Sequence, residues 1–263
     1  MSILQQQETQ GARSGAMKFV SNVNSNEVLI IDESRGAYTN PKKYVRLFDD
    51  FLGDVIADQW SAAEGNDAQA IIATISSDVN GVVRMITGDT AVVAESAQSL
   101  THELNWKANQ GGLYMACRFK PVTAITTVAY FVGFTDTLAT TTLEEPITLS
   151  GTTLTTNATD AVGFVYDTDA TNDTWHCQGV ANGTDTALTN STIAPVVDTY
   201  QDLEIFVDTS GGATFYINGA LVATVAACVT STVALTPVVC AMARTTSSRT
   251  VDIDYIDVMA QRT

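Results

Sequence analysis

Histidine is nearly missing from this sequence, with only His102 and His176 among 263 residues. Each sits in an alternating stretch, and neither lies near a nucleophile pattern such as GxSxG, so a hydrolase triad has no evident seat. Cys177 adjoins His176, but successive strand residues point to opposite faces, which argues against a dyad. The four cysteines, Cys117, Cys177, Cys228 and Cys240, include no CxxC pair, so the spacing gives a zinc or redox reading little support. They are expected as buried thiols in a reducing compartment. There is no P-loop and no GxGxxG, which removes the common nucleotide-binding motifs. No run of about 18 apolar residues exists to form a membrane-spanning helix. The opening MSILQQQETQ carries neither a basic n-region nor an apolar h-region, so the protein is expected to stay in the cytoplasm that makes it, or to leave by lysis.

Charge is also scarce, and lopsided. Only 16% of residues are charged, with 13 Lys and Arg against 29 Asp and Glu, giving −16 overall. Residues 1–47 run the other way, with six basic residues (Arg13, Lys18, Arg35, Lys42, Lys43 and Arg46) against four acidic ones. The acidic body is expected to repel nucleic acid and anionic membranes. The basic arm is the candidate for docking on a partner.

The remainder is rich in Thr, Val, Ala, Asn and Gly, and 45% apolar, enough for a substantial core built from strands rather than helices. Residues 1–43 show no sustained period apart from a short apolar stretch at 28–31. From Tyr44 onward, short strand-like segments alternate with turn residues, and none has a helical stripe. In LYMACRFK, Leu113, Met115, Cys117 and Phe119 share one face, with Arg118 and Lys120 on the other. In LEIFVD, Leu203, Ile205 and Val207 share a face, opposite Glu204 and Asp208. Residues 129–134 (AYFVGF) are apolar throughout, as in a central strand covered on both sides. The clearest local signal is ATFYINGALVAT at 213–224. Asn218-Gly219 is the preferred pair for a type I′ hairpin turn, and it predicts Ile217 opposite Ala220, Tyr216 opposite Leu221, and Phe215 opposite Val222.

The run YQDLEIFVDTSGGATFYINGALVATV (200–225) resembles the strand and NG-turn signature of concanavalin A-like jelly rolls, a group that includes laminin-G modules, legume lectins and family-16 glucanases. GLYMACRFK, AYFVGFTD and the closing TVDIDYIDVMA fit earlier and final strands of that fold. The resemblance implies an all-β, two-sheet antiparallel jelly-roll sandwich over 48–263, preceded by an extended N-terminal arm over 1–47. In overall texture the chain is also similar to jelly-roll virion proteins of tailed bacteriophages, which join such an arm to a sandwich.

Two acidic motifs carry candidate chemistry. Asp252-Ile-Asp254-Tyr-Ile-Asp257 is similar to the E-x-D-x-x-E strand of family-16 glucanases, where paired carboxyls act as nucleophile and acid/base. Here every acid is Asp, no tryptophans cluster nearby, and the motif lies near the end of the sequence rather than mid-chain. The favoured expectation is a final strand with Val251, Ile253 and Tyr255 inward and the aspartates in solvent. Asp167, Asp169 and Asp173 lie at alternate or near-alternate positions between two strands, as oxygen ligands for calcium would. No glycine marks the bend and no glutamate follows. Trp60, Trp106 and Trp175 are expected in the core rather than as a sugar platform.

These features favour a non-enzyme: a phage virion structural protein, either a capsid decoration (cement) subunit or a head-fibre subunit, docked through its arm on the major capsid protein or another virion protein. The phage resemblance implies self-association, commonly as trimers, no cofactor unless calcium binds, and residence in the virion after assembly in the host cytoplasm. The alternative is a glycan-binding, tail-associated receptor binder, with exposed aromatic and polar side chains on one sheet face or at the loop ends. A glycoside hydrolase comes third.

Overall fold

The computed structural model describes residues 17–22, 27–32, 37–39, 44–64, 67, 69–75, 81–90, 97–138 and 145–261, the first three of these segments by backbone only. Its strands are β1 (Met17–Asn22), β2 (Glu27–Asp32), β3 (Ala37–Thr39), β4 (Tyr44–Asp49), β5 (Ser61–Glu64), β6 (Ile71–Thr74), β7 (Val83–Ile86), β8 (Gln98–Thr101), β9 (Leu113–Pro121) and β10 (Val128–Thr135). They continue with β11 (Ile147–Ser150), β12 (Thr153–Thr156), β13 (Ala161–Asp167), β14 (His176–Ala181), β15 (Thr184–Asp185), β16 (Gln201–Val207), β17 (Ala213–Ile217), β18 (Ala220–Val225), β19 (Thr236–Ala243) and β20 (Thr250–Gln261). Among the described residues there is no helix.

Two large antiparallel sheets make the sandwich. One runs β15-β14-β13-β10-β19-β8-β5, and the other β18-β17-β16-β9-β20-β7-β6 with β4 also paired to β20. β1, β2 and β3 form a separate three-stranded sheet. The jelly-roll sandwich that the resemblance implies is therefore the observed fold. Leu113, Met115, Cys117 and Phe119 of β9 and Leu203, Ile205 and Val207 of β16 all face the core. Trp175 is the hub of that core, with ring centroids of Phe119, Tyr166, Phe164 and Tyr130 at 5.7, 5.8, 6.1 and 6.3 Å. Its indole N–H is satisfied by Gln201 Oε1 at 2.8 Å, as a buried tryptophan requires.

β10 is buried along its whole length. Its inward residues meet the main core. Outward-facing Phe131 packs with Ile147, Leu149 and Leu154 of the β11–β12 hairpin, which covers that face. The unbroken apolar run at 129–134 is explained by this second cover.

The hairpin register departs from expectation at one step. Ile217 opposes Ala220 and Tyr216 opposes Leu221, but Phe215 opposes Ala223, with a bulge between. The turn has positive φ at both Asn218 (52°) and Gly219 (76°), as a type I′ turn demands. The bulge inserts Val222 without a partner and moves the rest of β18 by one residue.

Candidate functional site

The sequence places the arm over 1–47, but Tyr44–Asp49 is a strand of the sandwich, paired antiparallel with β20 from Asp49↔Ile256 to Tyr44↔Gln261. Arg46 is therefore a sandwich residue, and its guanidinium is occupied. Nε and Nη2 donate to Asp257 Oδ1 and Oδ2 at 2.8 and 2.9 Å. The other arm cations, Arg13, Arg35, Lys42 and Lys43, lie outside the described residues, as does the side chain of Lys18.

The glucanase-like aspartates are not in solvent. Asp252 and Asp257 are fully covered, at 0% and 1% exposure. β20 carries a bulge between Ile253 and Tyr255. Val251 and Ile253 point into the core before it, and Ile256, Val258 and Ala260 after it. Tyr255 is thereby turned out, where its hydroxyl donates to Asp202 Oδ1 at 3.0 Å. On this outer face Asp252 accepts a bidentate pair from Arg84 (2.7 and 2.9 Å) and meets Lys120 Nζ at 3.0 Å. Asp254 meets Arg118 Nη1 at 2.6 Å. The Arg118 guanidinium and the Lys120 ammonium both lie over Tyr200, at 4.5 and 4.7 Å. These three carboxyls sit in ion pairs that join β4, β7, β9 and β20.

The calcium reading also needs correction. Asp167 is fully buried, and the Arg244 fork fills its carboxylate, with Nε 3.0 Å from Oδ1 and Nη2 closing on Oδ2. The backbone N–H groups of Leu149 and Asp169 donate to the same carboxylate at 2.9 and 3.0 Å. Burial pushes the Asp167 carboxyl up, and these donors pull it back. Asp169 lies 3.4 Å from Arg244 Nη1, and Asp173 is exposed. A guanidinium thus sits where a cation was expected. Trp60, Trp106 and Trp175 are all in the core, as expected. His176 and Cys177 point to opposite faces, Cys177 inward.

A concavity lies elsewhere, beside β9, β16 and the end of β20. A groove of about 470 Å³ is lined by Tyr44, Tyr114, Phe206, Thr209, Met259 and Gln261, among others. Tyr114 and Phe206 pack at 4.7 Å between centroids, and Phe206 meets Tyr216 edge-on at 6.0 Å. These three side chains form an aromatic row along the outer face. Phe206 is 48% exposed. Polar groups border the row. Tyr114 Oη donates to Glu204 Oε2 at 3.1 Å. Asp208 Oδ1 accepts the N–H groups of Ser210 and Gly212, at 2.7 and 3.1 Å, and so fixes the turn at the rim. At the other rim Gly111 and Gly112 have φ of 98° and 90°. A Cβ on Gly112 would stand 2.8 Å from Val207 O, so only glycine lets β9 begin this close to β16. The alternation in LEIFVD hides this site, because Phe206 occupies an outward position. An aromatic at a solvent-facing strand position was the signal available.

No family model matches the chain, and no curated protein matches it in sequence. Solved structures do match in fold. The carbohydrate recognition domain of Emp47p aligns with a TM-score of 0.57 at 10% identity, over 84% of this chain and 99% of that one. The Bacillus licheniformis β-glucanase aligns at 0.55 and 13% identity, over 81% and 97%. An endo-β-1,4-glucuronan lyase from Trichoderma reesei aligns at 0.57 and 12%, over 81% and 94%. At such identities the likeness shows the fold alone: a concanavalin A-like sandwich. It corrects the expectation of a non-enzyme, because two of these three proteins are enzymes, and the fold gives no ground for excluding catalysis. It lends no support to a virion role.

Proposed function

We propose that this protein binds glycans, with the groove beside β9 and β16 as the site. The observation that carries the reading is the Tyr114–Phe206–Tyr216 row with half-exposed Phe206 at its centre. Aromatic faces take the apolar faces of sugar rings, while a few fixed polar groups orient the hydroxyls; binding sites combine these two features. The groove falls within the roughly 300–1,000 Å³ range of small-ligand sites. Fold neighbours that recognise or cleave carbohydrate add weight to the reading. A glycan array probed with the full chain and with Phe206→Ala is the test. Retention of a defined glycan class by the wild type, weakened at least tenfold in the variant, is expected. Equal binding by both proteins would sink the assignment of the groove.

The cations before β4 (Arg13, Lys18, Arg35, Lys42 and Lys43), five against four acidic residues in 1–43, support a second reading, in which that segment tethers the sandwich to a phage particle. Deleting 1–43 would then abolish particle association and leave glycan binding intact. Particle association retained by the deleted chain would refute the tether.

A further inference from the structure

The aromatic row beside the groove has a charged fourth member. Phe206 of β16 stands directly opposite Tyr114 of β9. Glu204, two residues earlier on the same strand, stands directly opposite Tyr216 of β17. Residues two apart in a strand share a face, and directly opposite pairs bring their Cβ atoms to about 4.5–5.5 Å. Three rings and one carboxylate therefore form a block on the outer face of the sheet. Tyr114 Oη donates to Glu204 Oε2 at 3.1 Å and holds the carboxylate against the rings. Two residues beyond Phe206 in the other direction comes Asp208, which lines the groove. Half-exposed Phe206 thus lies between two carboxylates along its own chain.

These two carboxylates differ from the others on this face. Asp252 is neutralised by Arg84 and Lys120, Asp254 by Arg118, and Asp257 by Arg46. Among the described residues, no ion pair involves Glu204 or Asp208, and Asp208 alone carries a charge among those that line the groove. The faces of aromatic rings are themselves negative. Rings and carboxylates therefore build negative potential at one place, with no described cation set against it. An ammonium group seated on Phe206 would meet ring faces and the Glu204 carboxylate together, the arrangement by which aromatic cages hold such groups. A uronate or a sulfated sugar would meet like charge at the same point. The chemistry of the groove favours a glycan that carries positive charge.

We propose that the groove selects glycans bearing a free amine, an unacetylated hexosamine unit whose ammonium group sits between Phe206 and Glu204. The inference rests on the glycan-binding reading of the groove and names its ligand class. Calorimetric titration of the full chain with three β-linked hexamers, of glucosamine, N-acetylglucosamine and glucose, tests it at about pH 6, where an amine keeps its proton. One cation–π contact and one exposed ion pair together give the glucosamine hexamer a gain of about tenfold over the two neutral ones. High salt is expected to shrink that gain, because the carboxylates are open to solvent. Glu204→Gln keeps an acceptor for Tyr114 Oη and removes the charge, and it is expected to erase the difference between the hexamers. Phe206→Ala leaves every charge in place and is expected to weaken the glucosamine hexamer at least tenfold, whereas a general attraction of the amine to a chain of net charge −16 would survive it. Melting curves confirm that both variants fold. Equal wild-type affinity for the three hexamers, or an amine preference that survives either variant, overturns the inference; neutral hexamers bound in a Phe206-dependent way then leave the groove standing as a glycan site. No binding of any hexamer overturns the inference as well, and a blank glycan array beside it overturns the groove.

Discussion

Arg46 grips Asp257 through two parallel hydrogen bonds, 2.8 and 2.9 Å long, across 211 residues of sequence. Asp257 is 1% exposed, so the pair is a buried ion pair joining β4 to β20. Breaking a buried pair by removing one partner typically costs about 3–5 kcal/mol, because the remaining charge is desolvated. Arg46→Ala is expected to lower unfolding stability by that amount in urea titrations. Arg46→Met paired with Asp257→Leu recovers most of it, since an apolar pair of similar volume leaves no stranded charge. A loss below about 1 kcal/mol for the single variant, the range of exposed pairs, would show that solvent reaches Asp257.

Glu145 gives the stability a pH dependence of definite sign. It is buried, and among the described residues neither carboxyl oxygen has a hydrogen-bond partner. Burial, and then the neighbouring Asp167, push its pKa well above the usual carboxylate range, against a smaller pull from Arg244. The folded state thus holds this proton more tightly than the unfolded chain, where Glu titrates near 4.3. Its contribution is full below that value and is lost as pH rises toward the folded pKa, by up to about 1.36 kcal/mol per pH unit. Urea midpoints at pH 5 and pH 8 are expected to fall more in the wild type than in Glu145→Gln. Identical pH profiles would refute the assignment.

The Arg244 fork on Asp167 predicts indifference to calcium. Melting curves in EDTA and in millimolar calcium are expected to superimpose. Arg244→Ala is expected to lower the melting temperature under both conditions, because Asp167 is then left buried with only two backbone donors. A rise in melting temperature with calcium in the wild type would restore the metal reading.

At Gly219 nothing lies within 4 Å of a would-be Cβ, yet φ is +76°. Gly219→Val therefore isolates the cost of left-handed backbone, about 1–2 kcal/mol for an L-residue, without a steric clash. A neutral substitution would show that the β17–β18 turn relaxes to another type.

The sandwich was legible because half-buried strands write a period of two into the sequence, as in Leu113, Met115, Cys117 and Phe119. The turn at Asn218-Gly219 was equally legible, since few residue pairs accept positive φ twice. The bulges were harder to see, although β20 carries a visible trace of one. Its inward apolar residues fall at 251 and 253 and then at 256, 258 and 260, a slip of one. The burial of Asp252 and Asp257 was not legible, because their partners Arg84 and Arg46 lie 168 and 211 residues away. The aromatic row was half legible: Tyr114 and Tyr216 sit at outward positions of clear alternations, but Phe206 was hidden between Glu204 and Asp208 on the outward face.

β20 sits in the middle of its sheet, with β9 on one flank and β7 and β4 on the other. A ribosome releases β4, β7 and β9 more than a hundred residues before β20 emerges. Until then, the edges of those strands that face β20 have no partner and stand open to wrong pairing. Assembly of this sheet must wait for its central strand, so its rate is governed by contacts of very long sequence separation, the slow regime of folding. Synthesis speed and chaperone capture should therefore decide the yield of this protein as much as the stability of its finished core.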